Sequence, residues 1–296
     1  MEPQKIYWHA RAAALQADGR AVINGQRVGA RAGAVFDCMS PVDGRKLADV
    51  ARCTGEDIDR AVAAARSAFE DRRWAGMAPA LRKRAMIKFA DLIVLHGDEL
   101  ALLETLDMGK PIRYSRSVDV TAAANCIRWY GEAVDKVYDE IAPTADTSLA
   151  LITREPVGVV GAIVPWNYPM IMAAWKIAPA LAVGNSVVLK PSEKSPLTAL
   201  RLADIALEAG IPPGVFNVAP GYGHEAGSAL ALHLLLGVSI PLGIAITAFD
   251  TLLVLGLQGA GFRRVEAIVL GLVLTIACCF AVELAMAKPN WFGVAM

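Results

Sequence analysis

Three short clusters near the middle of this chain carry side chains able to act on a nucleotide and a carbonyl. They are Pro165-Trp166-Asn167-Tyr168-Pro169, Lys190-Pro191-Ser192-Glu193 and Pro220-Gly221-Tyr222-Gly223. The Asn167 carboxamide offers an NH₂ that can polarise a carbonyl oxygen. Lys190 and Glu193 supply one donor and one acceptor, a combination that suits the two hydroxyls of a ribose. Gly221 and Gly223 bare the backbone as a pyrophosphate loop requires, yet a third glycine is lacking, and close approach of a helix explains them as well. Plainer readings stand beside these. Asn167 also reads as a turn residue between prolines, and Lys190 with Glu193 as a solvated pair.

The elements that must position these clusters can be read from the spacing of apolar residues. Ser148 to Arg154 reads as a strand. Val157 to Val164 is a continuous apolar run bounded by Pro156 and Pro165, as expected of a parallel strand buried on both faces. A helix over Met170 to Ala182, a strand at Ser186 to Lys190, a helix from Ser195 to Ala209, a strand at Val215 to Ala219 and a helix from His224 to His233 follow. Connections of this length make right-handed crossovers, so the order βαβαβα predicts a parallel sheet with helices on both faces. The fold class is α/β: half of a doubly wound, Rossmann-like cofactor domain, with ligands expected beyond the carboxyl ends of its strands. All three clusters lie on that rim.

Upstream, residues 1 to about 55 read as an irregular peripheral segment with turns at Asn24-Gly25, Ser40-Pro41 and Asp43-Gly44 and short apolar pieces that suit strands or arms. Thr54-Gly55-Glu56-Asp57 has the form of a helix start leading to about Phe69. Pro79 opens a second helix whose Leu81, Met86, Phe89, Leu92 and Ile93 are spaced for one buried face. A third, from Glu99, stops near Met108-Gly109-Lys110-Pro111, and a fourth runs from about Tyr114 to Tyr138, carrying Ile127, Trp129 and Tyr130. Together they form a scaffold layer.

Composition divides the chain in two. Of the 29 Lys and Arg and 29 Asp and Glu residues, only Asp250, Arg263, Arg264, Glu266, Glu283 and Lys288 lie beyond His233. The boundary therefore falls between residues 1–233 and 234–296. Formal net charge is zero, which gives no electrostatic footprint for nucleic acid. The 5 cysteines, Cys38, Cys53, Cys126, Cys278 and Cys279, show no metal-ligand spacing, so no metal is expected. No basic-then-apolar leader opens the sequence, and a cytoplasmic location is expected for the front portion.

Leu234 to Leu257 would span about 36 Å as a helix at ~1.5 Å per residue, enough for a hydrocarbon core of about 30 Å. Its Leu, Ile, Val and Phe residues contribute about −6 kcal/mol to insertion against roughly +3 for Asp250. A second apolar run, Val265 to Ala287, keeps Glu266 and Glu283 near its ends. The expectation is a transmembrane hairpin over 234–257 and 265–287, with membrane association through 234–287; a pair of buried core helices is the soluble alternative. Arg263 and Arg264 in the connecting loop should stay cytoplasmic, which would put the front portion on the opposite side of the membrane, in conflict with the missing leader.

Ile163-Val-Pro-Trp-Asn-Tyr-Pro, Gly184-Asn-Ser-Val-Val-Leu-Lys-Pro-Ser-Glu and Ala209-Gly-Ile-Pro-Pro-Gly-Val-Phe-Asn-Val resemble the NAD(P)-dependent aldehyde dehydrogenase superfamily from roughly residue 20 to His233. Leu103-Glu-Thr-Leu-Asp-Met-Gly-Lys-Pro-Ile and Ile127-Arg-Trp-Tyr-Gly-Glu-Ala-Val-Asp-Lys-Val-Tyr are most similar to its gamma-glutamyl-gamma-aminobutyraldehyde dehydrogenase branch, which serves putrescine breakdown. The resemblance implies oxidation of a small aldehyde with NAD as acceptor. It puts Asn167 in the oxyanion hole, Trp166 beside the cofactor phosphates, and Lys190 and Glu193 on the adenosine ribose, with Ser192, Gly221 and Gly223 on the same cofactor rim. A carboxylate at Glu193 would repel the extra phosphate of NADP, so NAD is favoured.

Thr144 to Glu155 resembles the family's oligomerisation strand, whose partner strand comes from the far C-terminus. Homo-oligomerisation is implied and, without that strand, impaired. Family members use a cysteine thiolate as nucleophile and a glutamate as base, both in segments that do not occur in this sequence. A truncated dehydrogenase, inactive as written, is therefore expected. Ile246-Thr-Ala-Phe-Asp-Thr-Leu-Leu-Val-Leu, Gly261-Phe-Arg-Arg-Val-Glu-Ala-Ile-Val and Phe280-Ala-Val-Glu-Leu resemble two membrane helices of Nramp-type divalent metal transporters. Two other readings remain open: a membrane-tethered nucleotide-binding module, and a transporter fragment fused to an unrelated N-terminal extension.

Overall fold

The structure is a computed structural model that describes residues 3–236. The hairpin expected over 234–257 and 265–287 lies outside the described residues, apart from the first few positions of the first run. Among the described residues no helix is long and apolar enough to cross a membrane.

In chain order the elements are α1 (Pro3–Ala14), β1 (Ala21–Ile23), β2 (Gln26–Val28), β3 (Val35–Met39), β4 (Lys46–Ala51) and α2 (Gly55–Glu70). Next come α3 (Pro79–Leu95), α4 (Gly97–Met108), the single turn α5 (Ile112–Tyr114), a π-helical turn over Ser115–Asp119, and α6 (Val120–Ala133). The hairpin β5 (Glu140–Ala142) and β6 (Ala150–Ile152) leads into β7 (Val159–Ile163), α7 (Pro169–Ala182), β8 (Ser186–Lys190), α8 (Leu197–Glu208), β9 (Phe216–Val218) and α9 (Ser228–Leu236).

The central sheet has the order β2-β1-β9-β8-β7. β7, β8 and β9 are parallel, in a register that sets Ile163 opposite Lys190 and Leu189 opposite Val218. β8 is buried along its whole length because alternate side chains enter different cores. Val187 and Leu189 join α3, α6, α7 and α8 in one apolar cluster, while Val188 joins α2 and α9 in another. Helices therefore cover both faces, as the crossover pattern predicts.

In the first 55 residues the strands fall among the apolar pieces, but the helix α1 and the joining of a strand to the main sheet depart from expectation. These residues are ordered into α1 and two hairpins, and β1 extends the main sheet, antiparallel to β9, making it mixed. The turn that closes β1–β2 uses Asn24 and Gly25 at φ 53 and 74, the pair of positive values that a two-residue hairpin needs. Asn217 explains why the hairpin docks where it does. This buried residue accepts the Asn24 N–H at 2.9 Å and donates to the Gly214 carbonyl at 2.7 Å, so a polar side chain inside β9 has a partner on each side.

A second correction concerns β7. Expected to be buried on both faces, it is instead the sheet's edge, with Ile163 48% and the preceding Val157 84% exposed. Among the three parallel strands the edge position thus belongs to the first, β7. β9 is interior, because β1 covers it.

The scaffold helices follow their signals closely. α2 starts at Thr54, whose N–H donates to the Asp57 carboxylate at 3.1 Å, the reciprocal half of a capping box. α4 stops at Gly109, which takes φ 80. On α3, Met86, Phe89, Leu92 and Ile93 are buried, whereas Leu81 in the first turn is exposed, and on α6 Trp129 faces solvent. The carboxyl end of α7 is held from outside: Trp74 Nε1 donates to the Leu181 carbonyl and Arg82 Nε to that of Ala182, both at 2.9 Å. These bonds satisfy carbonyls that a helix end leaves open.

Candidate nucleotide-binding site

The parallel register brings the three clusters to one edge of the sheet. Val164 N–H donates to the Lys190 carbonyl at 3.1 Å, and Ala219 N–H to that of Leu189 at 3.0 Å, so the segments after β7, β8 and β9 leave the sheet side by side. Ser195, fully buried at the start of the following turn, donates its hydroxyl to the Trp166 carbonyl at 3.3 Å and ties the first loop to the second. Nothing in its sequence context singled out Ser195.

Lys190 is 2% exposed, and its Nζ lies 3.0 Å from Glu193 Oε2. This corrects the alternative of a solvated pair: the ammonium is desolvated and its carboxylate partner is half-buried. Burial pushes the Glu193 carboxyl up, but a backbone N–H and the Lys190 ammonium pull it down further, and it settles below the ordinary carboxylate range. The pair is thus a fixed donor and acceptor at the carboxyl end of β8, in which Glu193, but not Lys190, lines the cavity beside it. Ser192 is buried beside it and accepts the Lys194 N–H at 3.2 Å, shaping the turn that presents Glu193.

Trp166 is 56% exposed and shares the wall of a cavity of about 570 Å³ with Glu193, Tyr222, Phe36 and Met39. Asn167 is exposed on the turn just beyond and is not one of those walls. Its placement depends on Tyr168, which caps α7 in the left-handed region at φ 55, a conformation unusual for an aromatic residue. The Tyr168 ring receives the Lys110 ammonium 3.9 Å from its centroid, and Lys110 is itself paired with buried Asp119 at 2.6 Å. A strained residue held by a charged neighbour is a recurrent feature of functional turns. The one sequence signal for it was the pair of flanking prolines.

The two glycines behave differently. A Cβ on Gly221 would stand 2.5 Å from the Cys53 carbonyl oxygen and 2.8 Å from Ala226 Cβ, so a side chain is excluded there by packing. Gly223, which opens a π-helical turn, has open space around it. Between them Tyr222 packs on Phe36 and lies 5.0 Å from the Arg52 guanidinium, which also pairs with Glu225 at 3.0 Å. Arg52 and Glu225 thereby pin the third loop to β4.

No described cysteine is set up as a nucleophile. Cys38 and Cys53 are buried and Cys126 is half-buried; burial pushes all three thiols up, and Asp107 and Asp57 reinforce this for Cys38 and Cys53. The Cys38 thiol donates to Asp107 Oδ1 at 2.9 Å. Cys278 and Cys279 lie outside the described residues. Among the described residues no group of three His, Cys, Asp or Glu side chains could hold a metal ion.

Comparison with known proteins agrees with this geometry. The sequence model of the aldehyde dehydrogenase family matches residues 28–237, and that of the natural resistance-associated macrophage protein-like family matches residues 192–296. Where the two overlap, β9 is paired into the parallel sheet and α8 packs in the same apolar core. The NADP/NAD-dependent aldehyde dehydrogenase PuuC of Escherichia coli (strain K12) is 55% identical over 227 residues, which are 77% of this chain and 46% of that protein. A crystal structure of gamma-glutamyl-gamma-aminobutyraldehyde dehydrogenase from Burkholderia cenocepacia J2315 superposes with TM-score 0.76 at 58% identity, covering 77% of this chain and 46% of that one. An indole-3-acetaldehyde dehydrogenase complexed with NAD+ gives TM-score 0.76 at 60% identity, with the same coverage of 77% and 46%. The chain spans about half the length of the curated relatives it matches.

Proposed function

This chain belongs to the aldehyde dehydrogenase family, and from that premise we propose that it carries an NAD half-site of putrescine-degradation type without a catalytic nucleophile. The observation that carries the reading is the pairing of buried Lys190 with half-buried Glu193 beside Trp166 at the carboxyl ends of adjacent parallel strands. Its donor set fits an adenosine ribose: a desolvated ammonium gives hydrogen bonds to one hydroxyl, and an ionised carboxylate accepts from the other. Bound NAD would supply a hydride acceptor. Trp166 would flank its phosphates, and the Asn167 carboxamide would donate to a carbonyl oxygen as negative charge develops on it. Gly221 lets the third loop close against Cys53 behind this rim.

Glu193 also grades cofactor choice. A 2′-phosphate would meet its carboxylate, so NAD is preferred to NADP, although the name of the Escherichia coli relative includes both nucleotides. The aldehyde itself, taken from the branch resemblance, is an ω-amino or γ-glutamylamino aldehyde. Exposed Ile141 and Leu151 on β5 and β6 support self-association through that hairpin. A second reading is a module tethered by a lipid-inserted hairpin over 234–287 with its domain boundary at His233; its one support is the Nramp-like match over 192–296, and the relatives, which are aldehyde dehydrogenases over 77% of this chain, do not favour it. Membrane flotation of the intact chain tests it, and recovery wholly in the lipid-free fraction would count against it.

Calorimetric titration of the intact chain with NAD and NADP tests the first reading. Saturable NAD binding is expected, with NADP weaker by about 10-fold or more. Glu193→Ala should weaken NAD by roughly 10- to 100-fold, the worth of a charge-assisted hydrogen bond of about 1.5–3 kcal/mol, and narrow the gap between the nucleotides. Absence of binding at millimolar NAD, or an unchanged gap in the variant, would contradict the assignment.

A further inference from the structure

A second cavity, of about 690 Å³, opens between α1, α4 and the π-helical turn at Ser115–Asp119, and it shares no lining residue with the cavity at Trp166 and Glu193. Its size falls within the range of about 300–1,000 Å³ typical of small-molecule sites. Leu102 and Leu106 of α4 and Ile112 form an apolar floor, and Trp8 of α1 forms a flat aromatic wall. Two guanidinium groups, Arg113 and Arg116, complete the lining. We propose that this groove binds a small organic carboxylate with an apolar, preferably aromatic, body.

Charge supports an anion. Asp98 is the carboxylate that serves this corner, and it is already shared: Oδ1 accepts Arg116 Nε at 2.7 Å, while Oδ2 accepts Arg11 Nη1 at 3.2 Å and the Tyr7 hydroxyl at 3.0 Å. Two guanidinium groups, Arg11 and Arg116, thus share one carboxylate, and Arg113 adds a third positive charge to the same corner. Arg113 stacks on the ring of its neighbour Tyr114, 4.6 Å from the centroid, and has no carboxylate partner among the described residues. The Nη groups of Arg116 likewise carry no hydrogen bond among the described residues. A planar fork of this kind matches a carboxylate through two parallel N–H bonds.

Shape supports an amphiphile over a bare anion. The floor and wall are hydrocarbon and indole, which inorganic anions do not wet favourably, whereas an aryl ring could stack on Trp8 with its carboxylate at the arginines. The backbone is also fitted to the purpose. A Cβ on Gly97 would lie 3.0 Å from Arg116 Cζ, so glycine at the start of α4 lets that guanidinium lie flat against the helix. The π-helical turn, a local widening often found at functional sites, carries Arg116 and Ser117 into the lining together.

The test uses the full chain and calorimetry with 4-phenylbutyrate, its uncharged analogue 4-phenylbutyramide, and inorganic phosphate. The carboxylate should bind at least 10-fold more tightly than the amide and than phosphate. Arg113→Gln combined with Arg116→Gln should erase the preference for carboxylate over amide, and Trp8→Ala should weaken both organic ligands. Arg113→Gln alone, which leaves the Asp98 pairs intact, should reduce carboxylate affinity severalfold and guards against a folding defect in the double variant. Equal affinity for acid and amide, binding of phosphate as tight as the acid, no binding of the acid at 10 mM, or full affinity in the arginine variants would each overturn the proposal.

Discussion

Incubated with NAD and any of a panel of aliphatic, aromatic and amino aldehydes, the purified chain should produce NADH no faster than buffer alone. In the family resembled, a thiolate attacks the aldehyde carbonyl, and the resulting hemithioacetal then loses hydride. Here each described thiol is held protonated: Cys38 by burial and by the Asp107 carboxylate it donates to, Cys53 by burial beside Asp57, and Cys126 by partial burial in α6. Cys278 and Cys279 fall within the apolar run 265–287. With no described thiol available to attack, the oxyanion proposed to meet Asn167 would not form. Loss of a covalent nucleophile costs on the order of 10⁶ in rate in well-studied hydrolases, far below the detection limit of a coupled absorbance assay. Sustained turnover, abolished by one cysteine substitution, would show that a nucleophile has been overlooked.

Stability should fall as pH rises from about 5 to about 8, and Glu104→Gln should remove the larger share of that fall. Glu104 on α4 is fully buried, and neither of its oxygens accepts a hydrogen bond among the described residues. Burial pushes its carboxyl up to about 8, with nearby Asp119 adding to the rise. Asp107, one turn further on, is pushed up to about 7 by burial, against the pull of hydrogen bonds from Cys38 and from the Leu197 N–H at 2.8 Å. A carboxyl raised on folding keeps a proton that the unfolded chain has released. Its contribution is therefore intact below the unfolded value of about 4 and is lost as pH climbs through the folded one, at up to about 1.4 kcal/mol per pH unit for each group. Urea unfolding at pH 5 and pH 9 measures this. The variant should be about 3–5 kcal/mol more stable than the parent at pH 9 and within about 1 kcal/mol of it at pH 5. Parallel pH profiles for the two proteins would refute the role assigned to Glu104.

Much of the architecture was legible because apolar runs and caps report it directly. Ser186–Lys190 was delimited to the residue, since a short hydrophobic strand between Gly184-Asn185 and Pro191 has nowhere else to start or stop. The Thr54 cap and the Gly109 stop are local signals, and both elements obey them. What was not legible depends on contacts far apart in sequence. The docking of β1 against β9 rests on Asn24 meeting Asn217, and neither residue marks itself as a partner of the other. The edge position of β7 could not be read from its composition, because VGVVGAIV looks alike at the edge and at the centre of a sheet.

The candidate site shows the same division. Its three loops could be placed on one rim from strand order alone, but not the burial of Lys190, which turns a surface pair into a fixed donor and acceptor. For Tyr168 in the left-handed region the flanking prolines mark a turn, but Lys110 over its ring is not legible, because that support comes from the loop that follows α4. The Trp8 groove was missed because α1 was read as irregular chain.

Amide hydrogen exchange of the intact chain, with and without saturating NAD, puts the nucleotide half-site to the most direct test. Slower exchange is predicted in the segments 164–168 and 190–195, with the β5–β6 hairpin unchanged. Saturable binding that protects neither segment would place the nucleotide elsewhere and remove the basis for assigning Lys190 and Glu193 to it.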